Sequence, residues 1–371
     1  MHREDCQIEL VLDEGDVTGG GNSERIAELE LELKRGEAVT LIELARELAK
    51  AAPLRLGVLT KSERGYRLAD GSAGKVQKAE PIELRADMNA AEGFGAIAHA
   101  CLRHFRLNED LVAAKKDPGA LHQARVAMRR LRSAFTLFRA VIADEAYEQL
   151  REEVRWFTNQ LGDARNLDVL LKRFARDEGP EAERLRERLT AEREAAYAQV
   201  LVALASDRLR RLMIDIMGWV ETGAWREANH MARLPLPEYA RVQLDKRWRK
   251  VKKGGKAIAA LEAEPRHRLR IEVKKLRYAV EFLASLTHGE TALQRQKAFV
   301  AALEEMQERL GELNDAETAR DLLGNLLPAG EDAEMKRYVG ERLALPESED
   351  GQLSASQKAH GALVEAGPFW R

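Results

Sequence analysis

Aromatic residues make up only 5% of this 371-residue chain, and it has just 2 cysteines. With few aromatics, 33% charged residues and much Ala, Leu, Glu and Arg, the composition leans away from β-sandwiches and towards helix bundles. Cys6 and Cys101 stand far apart with no metal-type spacing, which excludes a disulfide framework and fits a reducing compartment. The sequence opens with no apolar run of the secretory kind, and no stretch of roughly 18 apolar residues could span a bilayer. Cytoplasm is therefore the expected location, with no membrane partner.

Hydrophobic residues supply 45% of the chain, enough for a sizeable core and two or three domains. The net charge of −2 conceals an uneven distribution. Residues 1–90 hold 13 basic and 18 acidic residues, leaving 47 against 44 in 91–371, and 241–277 alone carries 14 Lys or Arg against four Asp or Glu. For a polyanionic partner such clustering matters more than the overall balance.

One pattern occurs twice. His122–Phe138 (HQARVAMRRLRSAFTLF) and His267–Leu283 (HRLRIEVKKLRYAVEFL) both fit His-x-x-Arg-x-x-x-basic-basic-Leu-Arg, 145 positions apart. At a helical step of about 100° per residue, Arg125, Arg129 and Arg132 fall on the flank of His122, and Met128, Leu131, Phe135 and Phe138 lie opposite. In the second copy Arg270, Lys274 and Arg277 flank His267, while Val273, Leu276, Val280 and Leu283 are the apolar set. Neither helix is expected to have i,i+4 acidic partners for its basic stripe; 122–139 has five Arg and no Asp or Glu. Two such stripes repel each other unless an anion lies between them, and the arginine fork suits phosphate oxygens.

The first 85 or so residues read differently. Cys6–Gly15 and Ile26–Lys34 alternate like strands around the turn Gly19-Gly20-Gly21-Asn22, Thr40–Ala52 has helical spacing, and Leu54–Leu68 reads as a last strand pair. On such a strand Glu28, Glu30 and Glu32 share a face. That face is either solvated or a metal and phosphate tunnel, with the carboxylates on Mg²⁺ and Lys61 or Arg64 on phosphate. The run IELVLDEG, AELELELKRGE, LARELA, PLRLGVLTKSERGYRLADG resembles the C-terminal half of a CYTH domain, a triphosphate tunnel metalloenzyme, over about residues 5–72. The resemblance implies metal binding at Glu28, Glu30 and Glu32 and triphosphate binding at Lys61 and Arg64. The Glu-x-Glu-x-Lys strand that opens such domains is missing. A truncated or degenerate fragment is expected, inactive or very weak as a triphosphatase even where a full-length parent is active.

Asp70–Glu80 reads as a linker, and from about Met88 the pattern is helical. Ala90–Phe105, the first repeat helix after Asp117-Pro118-Gly119, Glu145–Asn159, Leu161–Leu171, Pro180 to Ser206 and Leu209–Val220 form one series. Pro235 and Pro237 interrupt it, and a second series restarts at Tyr239 and runs through the second repeat helix to Phe299–Asp315. Leu161–Asn166 and Leu310–Asp315 echo each other. Asp163, Asn166, Asp168, Asn314 and Asp315 either fix the arginines or simply cap helix ends. The tail, about 345–371, is expected to dock only at its end, Phe369-Trp370-Arg371.

The paired motif helices, each followed by a Leu-Gly element with Asn and Asp, resemble a CHAD domain over about 88–330. The resemblance implies two pseudo-symmetric antiparallel four-helix bundles around a basic central cavity that binds inorganic polyphosphate or similar phosphorylated polyanions, without a cofactor. By position it assigns His122, Arg125, Arg129, Arg130, Arg132, His267, Arg270, Lys274, Lys275 and Arg277 to that cavity. CYTH followed by CHAD is an order familiar in bacteria. The expected organisation is thus mainly α: a small α+β fragment of a CYTH β-barrel (1–72), a linker (73–87), a helical domain with halves of about 88–230 and 238–330, and a C-terminal segment (331–371). Nucleic acid is the weaker polyanion for the basic run Lys246–Lys256, whose only stacking aromatic is Trp248.

Overall fold

A computed structural model describes residues 2–3, 6–327, 333–343 and 349–371, with the side chains of 2–3, 228, 313–317 and 349–350 outside that description. Two compact units emerge: 1–81 with 94–165 and 193–233, and 82–93 with 166–192 and 234–371.

The first unit begins with a small antiparallel sheet, β1 (His2–Arg3), β2 (Cys6–Gly19) and β3 (Asn22–Arg35). The β2–β3 turn puts Gly20 and Gly21 at φ 57° and 81°, a left-handed pair that tight hairpins demand and glycine supplies without strain. Helix α1 (Ala38–Ala51) follows. It lies against α9 (Asp207–Thr222), where a Cβ on Gly218 would stand 2.4 Å from Ile42, and Arg46 meets Asp215 at 2.6 Å.

Residues 54–68 are not a strand pair. Thr60 and Glu63 form a reciprocal capping box at 3.1 Å and start helix α2 (Lys61–Ala69), which packs on the hairpin. The preceding extended segment joins no sheet, because its carbonyls find other donors: Leu56 accepts from Arg106 at 2.8 Å and Val58 from Arg103. The stretch expected as a linker is likewise held down. Gln77 exchanges two main-chain hydrogen bonds, 3.0 and 2.9 Å, with the buried side chain of Asn108.

Helices α3 (Ala90–Lys115), α4 (Pro118–Leu137), α5 (Arg139–Ile142), α6 (Tyr147–Gln160), α7 (Gly162–Arg173), α8 (Pro180–Ala205), α9 and α10 (Trp225–Ala228) follow in sequence. In the first unit Phe94, Phe135, Phe138, Trp219 and Trp225 stack at 5.3 to 5.9 Å between ring centroids. The indole of Trp219 donates to Asp144 at 2.9 Å, so this large side chain is buried with its polar atom satisfied.

The second unit is built on α11 (Leu236–Gly254), α12 (Ala263–Phe282), α13 (Glu290–Leu326), α14 (Ala333–Leu343) and α15 (Glu349–Ala366). Its aromatic cluster joins Trp248, Phe299, Phe369 and Trp370 at 5.0 to 5.8 Å. The tail does more than dock its end, for α15 packs along α13. Small and polar residues disguise that helix in the sequence. Ser356 and His360 are buried, and the His360 ring lies so close to Gly255 that a Cβ there would meet it at 2.1 Å. Among the described residues, no helix is long and apolar enough to cross a membrane.

Candidate anion-binding faces

Asp117 caps α4 by accepting from the Ala120 N–H at 2.8 Å, and Pro118 fits the first turn. As the 3.6-residue period predicts, Met128, Leu131, Phe135 and Phe138 are fully buried. His122, Arg125, Arg129 and Arg132 are half-buried on the other flank. Burial first, then the positive charges of Arg165, Arg125 and Arg129, push the His122 imidazole down to about 4. Arg132 is drawn below the usual guanidinium range by burial, Arg155, Arg129 and Arg151, with Glu152 opposing. Among the described residues, no carboxylate lies within ion-pair distance of Arg129, Arg132 or Arg165.

The fold therefore gathers cations from three helices: α4, α6 through Arg155, and α7 through Arg165. Sequence reasoning missed the last two. Arg165 lies inside the Leu-Gly element already singled out, but only the folded chain brings its charge to bear on His122 and makes it part of this face. Arg155 carries a looser ion pair of its own, 3.5 Å to Glu152.

Arg130 departs from the expectation. It is 8% exposed and aims inward, hydrogen-bonded to Cys101, whose thiol burial pushes up to about 12. Beside it His104 is held below the ordinary imidazole value by burial and by Arg130, with its Nε2 3.1 Å from the Gln77 carbonyl and from Gln123 Oε1. This guanidinium faces α3 and the interior, away from the stripe of its neighbours.

The second repeat helix, α12, buries Val273, Leu276, Val280 and Leu283 in the same way. Its basic flank differs from the expectation of a stripe without acids. Glu272 takes Lys275 at 2.7 Å and Lys250 at 3.5 Å. Arg277 is paired with Glu281 four residues on, donates to Gln307 at 2.7 Å and lies 4.9 Å over the Tyr278 ring. Arg270 and Lys274 are half-buried and His267 is exposed.

In the basic run on α11, Arg247 and Trp248 turn inward while Lys246, Arg249, Lys250, Lys252, Lys253 and Lys256 stay exposed. Trp248 packs on Phe299, which removes the one aromatic that base stacking could have used. Asp163 is exposed, Asn166 half-buried and Asp168 buried on α7, whereas the side chains of Asn314 and Asp315 lie outside the described residues.

On the N-terminal sheet, α2 lays its cations over the acidic face. Lys61 meets Asp13 at 2.5 Å and Glu30 at 2.7 Å, and its ammonium is held above the usual lysine range by those hydrogen bonds. Arg64 binds Glu24 and Glu28 at 2.8 Å, and Lys34 binds Glu32 at 2.7 Å. Each of Glu28, Glu30 and Glu32 thus has its own cation. Among the described residues no three acidic, His or Cys side chains gather in the way a metal cage requires.

The family described as CHAD domain matches residues 96–324, well over half of the chain. The crystal structure of the CHAD domain from the plant Ricinus communis is 29% identical, with TM-score 0.66, covering 76% of this chain and 96% of that one. PptA from Streptomyces chartreusis shares the fold at 16% identity and TM-score 0.51, over 77% of this chain and 99% of that one. An uncharacterized protein of Mycobacterium tuberculosis is 29% identical over 221 residues, 55% of this chain; the match spans only 40% of that protein's length.

Proposed function

The chain belongs to the CHAD domain family, and from that premise we propose that it binds inorganic polyphosphate or a related phosphorylated polyanion through the basic flanks of α4 and α12. One observation carries this reading: Arg129 and Arg165 bear on His122, and Arg129 bears with Arg155 on Arg132, while among the described residues no carboxylate is in ion-pair range of Arg129, Arg132 or Arg165. A fold that holds like charges together in a half-buried place has left room for an anion. Arginine forks would take the bridging and terminal phosphate oxygens two at a time, and His122 would gain a proton, and with it a further donor, once the phosphate charge lies beside it. No covalent chemistry is required. Binding would weaken steeply with salt, as for any linear polyanion that sheds counterions. The finer organisation, a pair of four-helix bundles preceded by part of a CYTH domain, belongs to the same proposal, as does a cytoplasmic location, which the two free, buried cysteines suit.

The test is a titration of polyphosphate against the wild type and an Arg129→Gln/Arg132→Gln variant at one salt concentration. Loss of most of the affinity supports the reading, and unchanged affinity removes it. The alternative, Mg²⁺-dependent hydrolysis of triphosphate by the N-terminal segment, is weaker because Lys61, Arg64 and Lys34 already occupy its carboxylates. Phosphate release from tripolyphosphate with Mg²⁺, lost in Glu28→Gln/Glu30→Gln, would place it first.

A further inference from the structure

A second cationic hollow lies in the first unit, where the segment before α2, α2 itself and the turn after it face α3. It is a cavity of about 300 Å³, at the small end of ligand pockets. Its floor is aliphatic: Val58 and Leu59 from the extended segment, Leu107 and Leu111 from α3, each only half-buried. Its rim is basic. Arg64 and Arg106 are already neutralised, by Glu24 with Glu28 and by Glu109. Arg67, Lys75 and Lys115 are not, since among the described residues no carboxylate comes within ion-pair distance of them.

The walls are fixed before any ligand arrives. Arg103 and Arg106 hold the carbonyls of Val58 and Leu56, and Arg55 bridges to Asp110 at 2.7 Å. Preformed aliphatic floors with a few convergent charges are what small-molecule sites look like. A bare phosphate chain would gain nothing from that floor. A carboxylate would leave the three rim cations under-neutralised, whereas a phosphomonoester dianion matches them more closely and gives the Arg67 fork two oxygens. A volume at the small end of ligand pockets suits a small ligand.

We propose that the hollow between α2 and α3 binds a small organic phosphomonoester, its phosphate on Arg67, Lys75 and Lys115 and its apolar body on Leu59, Leu107 and Leu111. The site is separate from the basic flank of α4 and does not depend on the polyphosphate reading. Calorimetric titration of the full chain with phenyl phosphate, benzoate and inorganic phosphate tests it. Phenyl phosphate is expected to bind saturably, at least tenfold tighter than either partial mimic. Lys75→Glu/Lys115→Glu, two exposed positions, should weaken it at least tenfold with an unchanged circular dichroism spectrum, and Arg129→Gln/Arg132→Gln should leave it intact. No saturable binding of phenyl phosphate, equal binding of benzoate, or indifference to the rim variant would each overturn the proposal.

Discussion

The two repeat helices follow the same sequence pattern and bury corresponding apolar residues, yet their basic flanks are not alike. On α4 the cations face one another, and burial first, then their mutual repulsion, lowers the proton affinities of His122 and Arg132. On α12 the corresponding flank is interleaved with Glu272 and Glu281, which engage Lys275 and Arg277. The two copies share the helix and its core face but differ in the charge balance of the other face. A cation already paired with a carboxylate must give up that partner before it can serve an anion, so the first copy is expected to dominate binding.

The sharpest way to break this contrast is to neutralise each flank separately. Arg129→Gln/Arg132→Gln should lower polyphosphate affinity about 100-fold, at roughly 1.5 kcal/mol per charged hydrogen bond. Lys275→Gln/Arg277→Gln should cost less than about tenfold, for those side chains are committed elsewhere. Equal losses in side-by-side titrations would erase the asymmetry.

Removing the acids of the second copy is the complementary experiment. Glu272→Gln/Glu281→Gln should raise affinity by about three- to tenfold and steepen its salt dependence, because two competing carboxylates are gone. A salt slope identical to that of the wild type would show that these pairs do not shield the flank.

The histidine of the first copy gives a pH signature. Its folded value, about 4, lies below the unfolded reference of about 6.5. Between those values the unfolded chain takes up the proton first, so this contribution to stability is intact above the unfolded value and is lost as pH falls towards 4. Melting temperature should drop over that window by a few degrees more in the wild type than in His122→Asn. Bound polyphosphate favours the imidazolium, so it should raise the His122 value and flatten the drop. Parallel pH profiles for the two proteins would contradict the assignment.

The smallest effect is expected one residue from the largest. Arg130→Met removes a basic residue of the motif, yet polyphosphate affinity should stay within about twofold, because that side chain is turned inward to Cys101. A loss matching that of the Arg129 and Arg132 variant would mean that Arg130 reaches the anion after all.

Much of this architecture could be read one residue type at a time. The buried sets on α4 and α12 follow from helical periodicity alone, and the hairpin turn from three consecutive glycines. What escaped was whatever depends on a second element. Leu54–Leu68 alternates like a strand, but Thr60 and Glu63 cap a helix and arginines of α3 take the carbonyls that a neighbouring strand would have used. The tail helix escaped because Ser356 and His360 are polar in composition and buried in fact. Arg129 and Arg130 are adjacent and chemically identical, and nothing local could tell which one would turn inward.

By itself the sequence determined the duplicated amphipathic helices, their core faces and the family they belong to, because a period of 3.6 and a repeated register are local properties of the chain. The tertiary structure alone decided which cations meet. Charge interactions depend on distances between elements far apart in sequence, so Arg155 and Arg165 joined one flank, Glu272 and Glu281 tempered the other, and α2 was laid over the acidic strand only when the chain packed.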